Sequence, residues 1–571
     1  MYTYYKSIQL LIACLKVYNV KHVVLSPGGS DIPLIHSIET DDFFTCYSVI
    51  DERSAVYFGI GVSQIHNEPV ACICTSGTAV SNYLPGITEA FYQNVPIIAI
   101  TADKNPYFQG QIETQKIEQH HIFGEVCRKA VTLNLNHDEN DDWYNERLIK
   151  EAILTAIHGS KGPVQINIPV VGSYNQYNVE KLPSIRKVEI VKPEDEDSIW
   201  LRYAEKISHA RKVLIVVGQN VFFSDRDVKN IESFYERYNC VISVEHLSNL
   251  ESPICLHTYP LTETGNLTEE LVPDLVISLG NNLSAYSLKP FLRRHDTFEH
   301  FSIDEDGRYR DVYKGLSCIF ECSASFFFEK MVSENMPLTK NNKQYDSAWR
   351  LILEKIQIPE FPFSSIYVAG ELSKIIPERS ILHLAILNST RVMQFFKLRS
   401  GIKVFSNVGA LGIDGCLSTF IGQATQNDNL AFCLIGDLSF FYDMNAAGIR
   451  HLGNNVRIVL LNNRGGAEFH FFMDKDIIPT LNDYICAEHS KSAEGWVKSL
   501  GFEYSSARNK QELQSALESF ATKSSSPKFL EVFTDMEEDA QILKKFYGEN
   551  HPDSFILKFR RFAGKIKRKL L

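Results

Sequence analysis

Two short apolar runs, Ala431–Ile435 and Val456–Leu461, each end in a turn rich in glycine and oxygen donors. The first turn reads Gly436-Asp437-Leu438-Ser439 and the second Asn462-Asn463-Arg464-Gly465-Gly466. Apolar runs of this length bounded by turn residues predict buried strands. Met444–Leu452 between them predicts a helix, so the segment reads as part of an α/β domain with a parallel sheet. Asp437 and Asn463 then stand at neighbouring strand ends, beside glycines and free backbone amides. A hard cation takes a few such oxygens and completes its shell with phosphate oxygens. The amides of Leu438 and Ser439, opening a helix, suit a diphosphate.

The same alternation of strand and helix fills the rest of the chain. Candidate strands at His22–Leu25, Val70–Cys74, Ile97–Thr101 and Val164–Pro169 define a first parallel α/β unit over residues 1–175. A polar stretch from Tyr174 to Asp197, holding Pro183 and Pro193, reads as a linker. Strands at Val213–Val217 and Leu275–Leu279 mark a central unit, residues 199–332. Its Gly218-Gln219-Asn220 turn lacks the full dinucleotide fingerprint. After a second linker, Ser333–Ser347, the third unit (348–548) carries strands at Ile381–Ile386, Lys403–Phe405, Ala431–Ile435, Val456–Leu461 and Phe529–Val532. A length of 571 residues accommodates this organisation.

The net charge of −11 argues against a general nucleic-acid binder. The twelve cysteines form no paired Cys-x-x-Cys set. Several, among them Cys14, Cys72 and Cys433, lie in apolar runs, as buried free thiols of a reducing cytoplasm do. The apolar stretch Leu10–Leu15 is too short to span a membrane. Residues 549–571 read as a basic tail. Within 554–571, Phe555, Phe559, Phe562, Ile566 and Leu570 recur at helical spacing among seven Lys and Arg. Such a helix packs on its own protein or lies on an anionic membrane surface, a peripheral contact.

In the first unit, Asp51-Glu52-Arg53-Ser54-Ala55 follows a short strand, and Cys74-Thr75-Ser76-Gly77-Thr78-Ala79 follows another. In the third, Ser406-Asn407-Val408-Gly409-Ala410-Leu411-Gly412-Ile413-Asp414-Gly415 precedes the metal–diphosphate pair. Together these resemble the thiamine diphosphate (ThDP) enzymes, three consecutive parallel-sheet α/β domains named for pyrimidine binding, a central role and diphosphate binding. Adding Ser26-Pro27-Gly28, Asn82-Tyr83-Leu84-Pro85, Thr101-Ala102-Asp103 and Asp443-Met444-Asn445, the chain is most similar to the menaquinone-pathway family, 2-succinyl-5-enolpyruvyl-6-hydroxy-3-cyclohexene-1-carboxylate synthase. The resemblance implies that Glu52 pairs with N1′ of the aminopyrimidine, which makes N4′ basic enough to take the C2 proton. It implies that Ile413 wedges between the cofactor rings, and that Asp437, Asn463 and the Gly465 carbonyl hold Mg²⁺. Ser76, Gly77, Asn388, Ser389, Leu411, Gly436, Leu438, Ser439 and Gly466 would line the cofactor. The family decarboxylates 2-oxoglutarate and adds the carbanion to isochorismate, as dimers or tetramers whose active sites join two subunits.

The substrate positions depart from the family pattern. Ser-Arg after the first Pro-Gly is Gly29-Ser30 here, an Arg after Thr-Ala-Asp is Lys104, and the Arg in Ser-Asn-Arg-Gly is Val408. Of the central Ser-Lys-Arg only Lys289 stands near, and the Arg after Asn-Ser is Met393 or, by a local shift, Arg391. Gln115 matches directly. Lys does not replace an Arg fork that grips a carboxylate, and each lost charge-assisted pair costs about 2 kcal/mol. New polar groups appear beside the metal motif: Arg464, Glu468 and His470. The expectation is a cytoplasmic ThDP- and Mg²⁺-dependent carboligase, a homodimer or homotetramer, using a 2-oxo acid donor smaller or less charged than 2-oxoglutarate and an unidentified acceptor. Two alternatives stand beside it: the menaquinone synthase itself, and a cofactor-binding scaffold docked at the membrane through 554–571.

Overall fold

The computed structural model describes residues 1–135, 138–219, 223–238, 240–338, 343–473 and 476–552. The basic segment 554–571 lies outside the described residues. The chain folds into two compact units, Met1–Glu189 and Ile190–Leu571.

The first unit holds one sheet, of β1 (His22–Ser26), β2 (Thr45–Ser48), β3 (Val70–Cys74), β4 (Ile97–Asp103), β5 (Lys129–Thr132) and β6 (Val164–Pro169), in the order β2-β1-β3-β4-β6-β5. All its pairings are parallel. Strands β3, β4 and β6 are buried at every residue, because helices cover both faces of a parallel sheet. Edge strand β2 is partly exposed throughout, and its short polar run Thr45-Cys46-Tyr47-Ser48 gives little apolar signal.

The second unit holds two sheets. One contains β7 (Glu189–Val191), β8 (Val213–Val217), β9 (Val241–Val244), β10 (Cys255–His257), β11 (Leu275–Leu279), β12 (Glu299–Ile303) and β13 (Leu316–Phe320), in the order β10-β9-β8-β11-β12-β13-β7. The other contains β14 (Ile381–Leu384), β15 (Lys403–Phe405), β16 (Ala431–Gly436), β17 (Val456–Asn462), β18 (Glu503–Ala507) and β19 (Lys528–Phe533), in the order β15-β14-β16-β17-β19-β18. Counted from its own first strand, this last sheet repeats the order of the first unit's sheet. The α/β class with three parallel sheets is therefore as the sequence predicts.

Three local expectations are corrected. The segment 174–197 contains β7 and is not linker throughout. The second supposed linker ends inside the helix Gln344–Lys355. Met444–Leu452 is not an α-helix: only Met444–Gly448 forms a 3₁₀ turn, and the α-helix of this crossover is Asp437–Tyr442. Gly448 is a poor helix former, and Asp443 is held elsewhere, its carboxylate accepting the Ser418 N–H and hydroxyl, both at 2.7 Å.

In open parallel sheets the crevice beyond the carboxyl ends of the strands, where strand order reverses, is where ligands bind. In the first sheet this crevice lies between β1 and β3, and in the last sheet between β14 and β16. Gly29 and Ser30 follow β1, Ser76 and Gly77 follow β3, Asn388 and Ser389 follow β14, and Asp437, Leu438 and Ser439 follow β16.

Candidate active site

In the first unit, Pro27-Gly28-Gly29-Ser30 leaves β1, Glu52 opens the helix Glu52–His66 after β2, and Thr75-Ser76-Gly77 leaves β3. Asp51 caps that helix, its carboxylate accepting the Ser54 N–H at 3.2 Å, which places Glu52 in the first turn. Glu52 is half-buried and accepts a hydrogen bond from Asn82 Nδ2 at 3.4 Å. The Ser30 N–H donates to Thr75 Oγ1 at 3.1 Å and its hydroxyl meets that of Ser76 at 3.1 Å. Gly28 must be glycine here, since a Cβ would lie 2.3 Å from the Thr75 side chain. Gln115 Nε2 donates to the Ser76 carbonyl at 2.9 Å, and Gln119 accepts the Gly77 N–H at 3.0 Å. Gly29, Ser30, Ser76, Gly77 and Gln115 thus form one cluster. Lys104 follows β4 at its end, where its N–H binds the Asp103 carboxylate at 2.7 Å.

Asp31 belongs to this cluster although sequence reasoning passed over it. It is fully buried, its Oδ1 accepts the Gly28 N–H at 2.9 Å, and its Oδ2 has no hydrogen-bond partner among the described residues. Burial pushes its carboxyl up to about 7, with the Glu52 charge adding to the effect. A buried polar group without a partner is the one local sign of it, and that is invisible in sequence.

In the second unit, Asp437 follows β16 and opens the helix Asp437–Tyr442, and Asn463 follows β17; they are 2 % and 7 % exposed respectively. Asp437 Oδ1 accepts the Leu438 N–H at 2.6 Å and Oδ2 the Gly465 N–H at 3.0 Å. Asn463 Nδ2 donates to Asp539 at 3.4 Å, which leaves its Oδ1 turned toward the Gly465 amide at 3.4 Å. The Gly465 carbonyl accepts one N–H, from Ala467 at 3.1 Å, and keeps a lone pair free. One carboxylate, one amide oxygen and one carbonyl fit a hard cation that draws its other ligands from a diphosphate. No group of three or more His, Cys, Asp or Glu side chains able to hold a metal occurs among the described residues.

The segment before this centre is strained. Leu387, leaving β14, has φ 60° and ψ −117°, and Leu411 has φ 57°, conformations that a branched side chain adopts only when its surroundings impose them. Leu387 leads into the helix Asn388–Met393, which carries Asn388 and buried Ser389. Ile413 is half-buried against the same core cluster that Leu387 and Phe441 pack on, and its carbonyl accepts the Ser439 hydroxyl at 2.6 Å.

A cavity of about 300 Å³ opens here, lined among others by Tyr286, Lys289, Leu387, Arg391, Val408 and Leu411. Arg391 is 6 % exposed and engages Glu468 with both terminal nitrogens, Nη2 to Oε1 at 2.8 Å and Nη1 to Oε2, while Nη1 also reaches Asn388 Oδ1 at 2.7 Å. Burial works against the guanidinium charge, but the bonds to Glu468 outweigh it and hold its pKa above the ordinary value. The Phe471 ring lies 4.8 Å from the guanidinium carbon. Lys289 has its pKa lowered by burial and by Arg293. Val408 is buried, its carbonyl accepting from Asn282 at 3.0 Å. His470 lies in a separate network, meeting Asn482 Oδ1 at 3.0 Å.

A family model described as the N-terminal TPP-binding domain of thiamine pyrophosphate enzymes matches residues 6–123. Fold and sites together define a thiamine diphosphate enzyme. The curated 2-succinyl-5-enolpyruvyl-6-hydroxy-3-cyclohexene-1-carboxylate synthase of Bacteroides thetaiotaomicron is 36% identical over 563 residues, covering 96% of this chain and 99% of that protein. Those of Phocaeicola vulgatus and Flavobacterium johnsoniae are 36% and 31% identical, covering 96% and 95% of this chain and 99% and 98% of their own lengths. The chain belongs to this synthase family, thiamine diphosphate-dependent enzymes that form carbon–carbon bonds. Among the described residues no helix is long and apolar enough to cross a membrane.

Proposed function

We propose that this chain decarboxylates a 2-oxo acid without a distal carboxylate, such as pyruvate, and transfers the acyl carbanion to a second substrate. ThDP supplies the electron sink for loss of CO₂. Glu52 would hold N1′, Ile413 would set the angle between the two cofactor rings, and Asp437, Asn463 and Gly465 would hold Mg²⁺ against the diphosphate. Ser76, Gly77, Asn388, Ser389, Leu411, Gly436, Leu438, Ser439 and Gly466 would line the cofactor, in a chain divided as 1–175, 199–332 and 348–548. The observation that carries the donor assignment is the Arg391–Glu468 pair. A guanidinium whose fork is filled by a half-buried carboxylate is not free to grip a second one, and Val408 adds no charge beside it.

A second reading is favoured by Lys289 and Arg293 in the same cavity. On it the chain makes the product named for its relatives, from 2-oxoglutarate and isochorismate, with these cations replacing the absent arginines. Homo-oligomers suit either reading. In the first unit Tyr57, Phe58 and Ile65 are 45 %, 42 % and 83 % exposed on the helix that Glu52 opens, and in the second Tyr442, Phe472 and Tyr484 are exposed beyond 70 % near the metal centre. Free thiols throughout the described residues suit a reducing cytoplasm.

The test is CO₂ release from pyruvate, 2-oxobutyrate and 2-oxoglutarate with ThDP and Mg²⁺, with and without isochorismate, beside a Glu52→Gln control. Turnover of pyruvate without 2-oxoglutarate is the expected result. Turnover of 2-oxoglutarate alone would replace this reading with the second.

A further inference from the structure

His489 lies on the loop after the short helical turn Leu481–Ile485, far in sequence from either metal motif, and its side chain is 8 % exposed. Its backbone is tied to the metal loop, the His489 N–H donating to the Arg464 carbonyl at 3.0 Å. Its ring stands perpendicular to that of Phe441, with centroids 5.3 Å apart. The Lys491 N–H donates to His489 Nδ1 at 3.1 Å. A ring nitrogen that accepts carries no proton, so in the neutral imidazole the proton is on Nε2. That N–H is buried and makes no hydrogen bond among the described residues, and its nitrogen lies 3.4 Å from Asp437 Oδ2.

We infer that His489 is a positioning residue for the divalent cation, holding the Asp437 carboxylate through Nε2–H with its tautomer set by the Lys491 amide. The inference rests on the reading of Asp437 as a cation ligand. A carboxylate offers about four lone-pair directions. The Leu438 and Gly465 amides take one on each oxygen, and a small turn of the His489 ring, its Nε2 3.4 Å away, would give it a second on Oδ2. The direction left over is on Oδ1, so the three donors together select which oxygen meets the cation and fix its orientation. Outer partners of this kind orient metal ligands and raise metal affinity, and their removal typically costs ten- to a hundredfold in binding. The alternative use of the buried N–H, as a donor to a diphosphate oxygen, predicts a different outcome.

The experiment uses the full-length protein with saturating ThDP and reads free Mn²⁺ by its electron paramagnetic resonance signal. His489→Met and His489→Gln have nearly the same size and shape, and only Gln carries an N–H at the reach of Nε2. The expected result is a Mn²⁺ dissociation constant raised at least about tenfold in H489M and restored to within a few-fold of the unaltered protein in H489Q. ThDP affinity at saturating Mn²⁺ should be unchanged in both. H489L carries the same comparison should H489M not fold. Equal Mn²⁺ affinity in all three proteins overturns the inference, and so does equal weakening by Met and Gln, which marks a packing role. Weakened ThDP binding with intact Mn²⁺ binding also overturns it, in favour of the diphosphate contact. If the unaltered protein shows no ThDP-dependent Mn²⁺ site, it is the reading of Asp437 that fails, and the inference with it.

Discussion

Arg391 and Glu468 close on each other as a two-point fork inside the wall of the cavity, Nη2 to Oε1 at 2.8 Å with Nη1 on the other oxygen. On the proposed reading, the pair brings a charge to where a substrate carboxylate would need one and neutralises it there. Released from Glu468, the fork would be available. Glu468→Gln is therefore expected to raise kcat/KM for 2-oxoglutarate relative to pyruvate about tenfold, the worth of roughly 1.4 kcal/mol of charge-assisted bonding. Competition assays with the two donors read this ratio directly.

The same pair gives a stability prediction. Removing one member leaves a buried charge alone, which costs about 3–5 kcal/mol, whereas replacing both with apolar side chains is nearly neutral or stabilising. Arg391→Met should lose that amount in urea denaturation, and Arg391→Val with Glu468→Ile should recover most of it. Equal loss in the single and double variants would show that the pair contributes through packing.

Glu52→Gln keeps the size and the hydrogen bond from Asn82 but cannot exchange a proton with N1′. Loss of a positioned acid–base group costs about 10²–10⁴ in rate. Decarboxylation should fall by that factor while ThDP still binds, as followed by quenching of intrinsic fluorescence.

The parts of the fold that were legible in sequence are those where burial is complete. The strands Val70–Cys74, Val213–Val217 and Leu275–Leu279 were expected at their observed bounds, because strands covered by helices read as unbroken apolar runs. Edge strands such as Lys129–Thr132 and Glu503–Ala507 are partly exposed and carry mixed residues, so they blend with loops. The two turns holding Asp437, Asn463 and Gly465 were legible because they follow two such runs directly. Asp31 and His489 did not, because what marks them is a buried atom without a partner, set by contacts far along the chain. Arg391 was visible as a displaced arginine, but not its capture by Glu468, 77 residues away.

Two buried histidines of the second unit contribute to its pH dependence. The His246 and His257 rings lie 4.4 Å apart, tilted by 35°, and each ring faces backbone carbonyls, His246 Nε2 toward Phe396 at 3.0 Å and His257 Nε2 toward Gln394 at 2.7 Å. Burial pushes them down to about 3 and about 4. Both are neutral above pH ~6.5 in either state, so stability is complete there. Below it the unfolded chain takes up protons that the folded chain does not, and each histidine removes up to roughly 1.4 kcal/mol per pH unit until its folded value is reached. Unfolding free energy should therefore decline from pH 6.5 toward 4. His246→Gln and His257→Gln should each flatten that slope even where they lower stability at neutral pH, and an unchanged slope would assign the decline to other groups.

Two glycines beside Asp437 separate fold from cofactor binding. A Cβ at Gly465 would lie 2.7 Å from the Cys486 carbonyl oxygen and 3.0 Å from Met536 Sδ. The Cys486 carbonyl cannot retreat without losing the Gly466 N–H that it accepts at 2.7 Å. Gly465→Ala must therefore displace the loop that carries the Asn463 and Gly465 oxygens, costing stability and cation affinity together. At Gly436 a Cβ meets nothing within 4 Å and φ is −77°, a conformation open to any residue. Gly436→Ala should leave the melting temperature unchanged within about a degree, since surface substitutions away from special geometry stay within about 0.5 kcal/mol. If a diphosphate occupies the space over Gly436, the same methyl group should weaken ThDP at least tenfold, about 1.4 kcal/mol. Thermal unfolding with and without ThDP and Mg²⁺ reads both quantities on one sample: in G465A both midpoints fall, and in G436A only the midpoint with cofactor falls. A G436A protein that gains as much from ThDP as the unaltered one would move the diphosphate away from the end of β16.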